Sequence, residues 1–176
     1  MNNSDWNVSN LLSASRFVIA IPLSLALYNG WTWWILGLTL LASATDFLDG
    51  YFARKYNEVS ELGKIIDPVA DKVLVGASAV ALFASGKIEW WFLSAIMLRD
   101  LLILAGGIFV RRRHGVTMMS NWIGKYTVGL VALALMLIAM GVESVHSWFI
   151  GVSMALLAFS LLVYAVAFVR VLNSRS

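Results

Sequence analysis

Apolar positions fill this chain in six long runs, at about residues 10–28, 32–53, 63–84, 90–110, 121–140 and 147–172. Each is near the roughly 20 residues that a helix needs to cross about 30 Å of hydrocarbon. Short polar or glycine-containing breaks divide them, among them NGW, SGKIE, RRRHG and GVESVH. The pattern predicts an all-α integral membrane protein: a bundle of about six transmembrane helices with almost nothing outside it. No linker or low-complexity tract interrupts the chain. Residues 1–176 therefore read as one domain, with 1–9 as a juxtamembrane segment and no separable signal peptide.

Composition supports the pattern. Of the 176 residues, 60% are hydrophobic and 13% charged, against about 25% charged in a soluble domain. Mean hydropathy is +0.81. Trp31, Trp33, Trp34, Trp90 and Trp91 read as residues of the membrane–water interface. Cationic residues then orient the bundle. Arg54, Lys55, Lys64, Arg111, Arg112, Arg113 and Arg175 fall in one set of breaks and the tail, and Lys87 stands alone in the other. The positive-inside rule puts the first set, both termini and the Asp-rich break on the cytoplasmic side of the membrane. With a net charge of only +3, these clusters read as topology signals rather than as a nucleic-acid surface. The absence of cysteine excludes disulfides, thiolate metal sites and a cysteine nucleophile.

Against that background Asp46, Asp49, Asp67 and Asp71 stand out. Carboxylates are costly in an apolar setting unless paired or metal-bound. The first two are three residues apart and the second two four apart, so each pair shares a helix face. Two antiparallel helices joined by a short break would bring the pairs together. Four converging carboxylates do not all ionise without cations among them. Oxygen donors with no cysteine suit Mg²⁺ or Mn²⁺, and two such ions are the usual clamp on a phosphate undergoing displacement. Gly50 follows Asp49 and Gly63 precedes Asp67 by four, leaving side-chain-free positions beside the cluster. Arg54 carries a planar fork suited to a diphosphate. Asp71, deepest along the third run, is placed to serve as a base. Asp67, ahead of Pro68, has a second reading as a helix N-cap.

Written out, Asp46-x2-Asp49-Gly50-x2-Ala53-Arg54-x8-Gly63-x3-Asp67-x3-Asp71 resembles the signature of the CDP-alcohol phosphotransferase family with no position missing. The resemblance implies a membrane enzyme that moves the phosphatidyl group of a CDP-linked lipid onto an alcohol and releases CMP. It implies metal binding by Asp46, Asp49, Asp67 and Asp71, with Asp71 also the base, and contacts to the cytidine diphosphate from Gly50, Ala53, Arg54 and Gly63. It also implies a homodimer. NLLSASRF, with Asn10 and Arg16, and SNWIGKYT, with Trp122, Gly124 and Lys125, are most similar to a bacterial branch of the family. Members of that branch use CDP-diacylglycerol and glycerol 3-phosphate, and form phosphatidylglycerol phosphate. Asn10 is then expected on the nucleotide, and Lys125 with Arg111, Arg112 and Arg113 on the acceptor phosphate.

Other charges have simpler readings. Adjacent residues on a helix do not face each other, so Arg99 and Asp100 are each expected to pair with another helix. Arg170 reads as an anchor that reaches the interface. His114 and His146 fall in opposite breaks and cannot share a metal. Rival functions remain at this stage. The same chemistry on inositol phosphate or serine fits the spacing equally well. A divalent-cation transporter would want carboxylates at the midplane rather than beside Arg54. An intramembrane prenyltransferase would use other aspartate spacings.

Overall fold

The structure, a computed structural model, describes residues 8–56, 63–114, 122–141 and 146–173. Among these, six helices and no strands occur: α1 (Val8–Asn29), α2 (Thr32–Tyr56), α3 (Gly63–Ala84), α4 (Trp90–His114), α5 (Trp122–Ala139) and α6 (His146–Asn173). The 1–9 segment read as juxtamembrane lies outside the described residues except for Val8 and Ser9, where α1 has begun.

The apolar runs place these helices to within a few residues, and the departures share one cause. Helices α2 and α4 continue about one turn past their apolar runs, through Arg54–Tyr56 and Arg111–His114. Hydrophobicity ends where charges begin, but Arg and Lys are good helix formers. The segments Asn10–Asn29, Trp90–Val110 and Ser147–Leu172 are each long and apolar enough to cross a membrane, and Tyr126–Ala139 is a shorter apolar stretch. Helices α2 and α3 carry the aspartates within their runs, which dilutes their apolar content.

The helices gather into two compact units, Met1–Lys87 and Ile88–Ser176. In the first, α1 packs on both α2 and α3. Ala20, Leu23, Ala26 and Leu27 of α1 bury with Ile35 and Ala42 of α2 and Ala70, Ala79 and Leu82 of α3. The alanines let the backbones approach closely. The far ends of α1 and α3 are tied together as well. Both helices stop at a glycine in the left-handed region, Gly30 and Gly86, each at φ 72°. The following amides close back, Trp31 N to Ala26 O at 3.0 Å and Lys87 N to Leu82 O at 2.9 Å. Lys87 then donates from Nζ to Leu27 O of α1 at 3.4 Å.

In the second unit α6 packs on both α4 and α5. The Tyr164 hydroxyl of α6 donates to Ile103 O of α4 at 2.9 Å, and Gly106 makes room for its ring. A Cβ at Gly106 would stand 3.2 Å from Tyr164 Cε1. Outward faces are apolar in both units, with Val18, Ile21, Leu40, Leu98, Leu101 and Leu162 all exposed. Buried positions include Asn10, Ser13, Arg16, Asp49 and Arg99. That inversion, polar within and apolar without, suits lipid as the solvent.

Candidate active site

Helix α1 carries one buried stripe of polar side chains. Asn10, Ser13 and Arg16 recur every third residue, and all three are fully buried against the rest of the first unit. The stripe faces the aspartates of α2 and α3, which meet on the Arg16 guanidinium. Its Nη1 lies 3.0 Å from Asp46 Oδ1 and also contacts Asp71 Oδ1. Its Nη2 lies 3.0 Å from Asp67 Oδ1 and also contacts Asp49 Oδ2. Each nitrogen thus holds one carboxylate from α2 and one from α3. The Ser13 hydroxyl lies between the second pair, 3.1 Å from Asp49 Oδ2 and in contact with Asp67 Oδ1.

The four carboxylates differ in access. The Asp49 side chain is 5% exposed, whereas Asp46, Asp67 and Asp71 are 57%, 44% and 47% exposed. Asp49 is thus the enclosed floor of the site, and the other three form an open rim. A guanidinium does not give up its proton in a protein, so Arg16 supplies one fixed positive charge to four acids. Charge-assisted bonds of this kind are strong, and an enclosed acid such as Asp49 requires one.

Helix α1 is what brings the two aspartate pairs together. The sequence predicts α2 and α3 as the hairpin that joins them, but α1 contributes Ser13 and Arg16 between the pairs. Asp67 is no N-cap, because α3 starts at Gly63 and runs through Pro68. Gly50 is half-buried directly after Asp49, and Gly63 opens α3. Ala53 and Arg54 lie on the last turns of α2, Arg111 near the end of α4, and Lys125 in the first turn of α5. Their side chains lie outside the described residues.

Arg112 and Arg113 are exposed at the end of α4, with the Arg113 guanidinium 5.9 Å from the Phe109 ring centroid. In the same unit Arg99 is buried and donates to Ser160 Oγ of α6 at 2.6 Å and to Asp100 Oδ1 at 2.6 Å. The expected partner on another helix is present for Arg99, but it also pairs with its own neighbour. Gly124 of α5 lies beside this group, and a Cβ there would stand at ordinary contact distance, 3.5 Å, from Arg99 Nη2.

Ser13 is the site residue that composition and motif reading passed over. Its signal is the three-residue spacing of Asn10, Ser13 and Arg16 in a mostly apolar helix. An intramembrane cation calls for partners. The donor set consists of hard oxygen atoms from carboxylates and a hydroxyl, which fits a hard divalent ion. Among the described residues no three acidic or histidine side chains close to metal-holding spacing, and the guanidinium takes the middle of the four acids.

A helical bundle whose buried polar stripe gathers two aspartate pairs has a counterpart among known families. The family model for CDP-alcohol phosphatidyltransferases matches residues 6–169, and the chain belongs to that family. The match runs through both compact units. The chain is 34% identical over 143 residues to the CDP-diacylglycerol–glycerol-3-phosphate 3-phosphatidyltransferase of Aquifex aeolicus, covering 80% of this chain and 78% of that protein. Its counterpart of the same name from Cereibacter sphaeroides is 31% identical over 149 residues, covering 79% of this chain and 66% of that protein. A probable phosphatidylglycerophosphate synthase of Mycobacterium tuberculosis is 32% identical over 137 residues, covering 73% of this chain and 64% of that protein.

Proposed function

We propose that the protein transfers the phosphatidyl group of CDP-diacylglycerol to glycerol 3-phosphate, giving phosphatidylglycerol phosphate and CMP. One observation carries the reading. Four aspartates in the family's spacing converge from two helices on a single buried point. The relatives' names supply the acceptor.

In this reading Asp46, Asp49, Asp67 and Asp71 hold Mg²⁺ or Mn²⁺, as two ions. Bound there, the ions stabilise negative charge on the diphosphate as CMP leaves. The chain's own residues do the rest. A hydroxyl oxygen of the acceptor attacks the phosphorus that carries diacylglycerol, and the bond from that phosphorus to the CMP oxygen breaks. Asp71 takes the hydroxyl proton. Its side chain is 47% exposed, open to an incoming acceptor in a way that Asp49 is not. Asn10, Gly50, Ala53, Arg54 and Gly63 are the positions assigned to the cytidine diphosphate. Lys125, Arg111, Arg112 and Arg113 are those assigned to the acceptor phosphate, where fixed cations suit a dianion.

In this reading all six helices cross the cytoplasmic membrane, with the site and both termini facing the cytoplasm, and the protein acts as a homodimer. The apolar outward faces and the arginines at the end of α4 support this placement. The test is CMP release by purified protein supplied with CDP-diacylglycerol and Mg²⁺. Release that requires glycerol 3-phosphate is expected. Release driven by serine or inositol phosphate instead would keep the aspartate chemistry and replace the acceptor.

A further inference from the structure

Arg16 is buried in the site, with its side chain 1% exposed, yet it makes no contribution in the transfer chemistry set out above. Its two terminal nitrogens are taken up by Asp46, Asp49, Asp67 and Asp71. Its Nε has no hydrogen-bond partner among the described residues. The guanidinium is therefore held in place by the acids alone. Those acids are also the only ones of the first unit that the proposed function gives to metal.

We propose that Arg16 is the resident counter-cation of this site and competes with divalent metal for the same carboxylate oxygens. In the metal-free protein it keeps the four acids assembled. Metal loading takes those oxygens and moves the guanidinium off the centre. The inference rests on the metal reading above and adds to it a residue that works against metal affinity. Cations a few ångströms apart repel strongly where water is scarce, so the two cannot share the centre at full strength. Linkage makes the competition reciprocal: whatever Arg16 contributes to the metal-free state is subtracted from metal binding. A residue that merely shapes the site would have the opposite sign, since its loss would weaken binding.

The experiment measures Mn²⁺ binding by electron paramagnetic resonance on the full chain in detergent, comparing wild type, R16Q and R16K. Arg16→Gln is expected to bind Mn²⁺ on the order of tenfold tighter, and Arg16→Lys, which keeps the charge, to stay near wild type. Thermal melts supply a second reading. Metal-free R16Q should melt below wild type, and Mn²⁺ should raise its Tm by more. If R16Q folds only with Mn²⁺, recovery of its helical circular dichroism on adding the ion is the same result. Failure to recover overturns the proposal. Equal or weaker Mn²⁺ binding by R16Q overturns the competition alone. Folded wild type and variants that bind no Mn²⁺ at all would remove the metal reading, and the competition with it.

Discussion

The hydroxyl of Ser13 donates to Asp49 Oδ2 at 3.1 Å, joining residues 36 positions apart. Asp49 is the one enclosed acid of its group, and the Ser13 hydroxyl contacts it in addition to Arg16. Ser13→Ala should therefore cost about 1–2 kcal/mol of stability through the lost donor to a buried acid. Tm in detergent measures this. Ser13→Thr, which keeps the hydroxyl, should recover most of it.

Asp49 and Asp46 offer a paired comparison. Both carboxylates touch Arg16, yet one is 5% exposed and the other 57%. Asp49→Asn should lower Tm more than Asp46→Asn, because water can take over the partners of an exposed acid but not of a buried one. Both should reduce CMP release by on the order of 100-fold, as removal of a metal ligand does.

Asp71→Asn should separate binding from turnover. CMP release is expected to fall about 100- to 10,000-fold with loss of a general base. Binding of CDP-diacylglycerol, followed by calorimetry, should persist. Full activity in this variant would move the proton to another acceptor.

Chelation tests the cofactor without mutation. EDTA should abolish CMP release, and added Mg²⁺ or Mn²⁺ should restore it. Undiminished release in chelator would exclude metal from the transfer.

In the second unit, Gly106→Ala should be costly for steric reasons. The new Cβ would stand 3.2 Å from Tyr164 Cε1, so the ring, held by its bond to Ile103 O, would have to give by a few tenths of an ångström. A loss of about 1–3 kcal/mol is expected. Tyr164→Phe removes only the bond to Ile103 O and should cost about 1 kcal/mol. Paired melts of the two variants check the order.

The sequence announced the helices and the acids, but not what joins them. Apolar length located α3 at Gly63–Ala84 because its run begins and ends in glycine- or serine-containing breaks. It stopped short on α2 and α4 because an arginine ends hydrophobicity without ending a helix. Asp46, Asp49, Asp67 and Asp71 were visible because charge is rare here and the spacing is regular. The part of Ser13 was not, since a serine in an apolar helix is ordinarily silent and its partners lie on α2 and α3. The pairing of Arg99 with Asp100 was missed for a related reason. Neighbours on a helix diverge at Cβ, but the long arginine side chain lets Nη1 return to Asp100 while Nη2 reaches Ser160.

The position of Arg16 on the first helix has a consequence for how the protein is made. Chains emerge from the ribosome N-terminus first. The positive charge at Arg16 is thus synthesised before any of the four negative charges it meets. Each acid that follows is made after the cation it meets. Moving α1 to the end of the chain would reverse that order, so that the acids of α2 and α3 would be made before the cation they share.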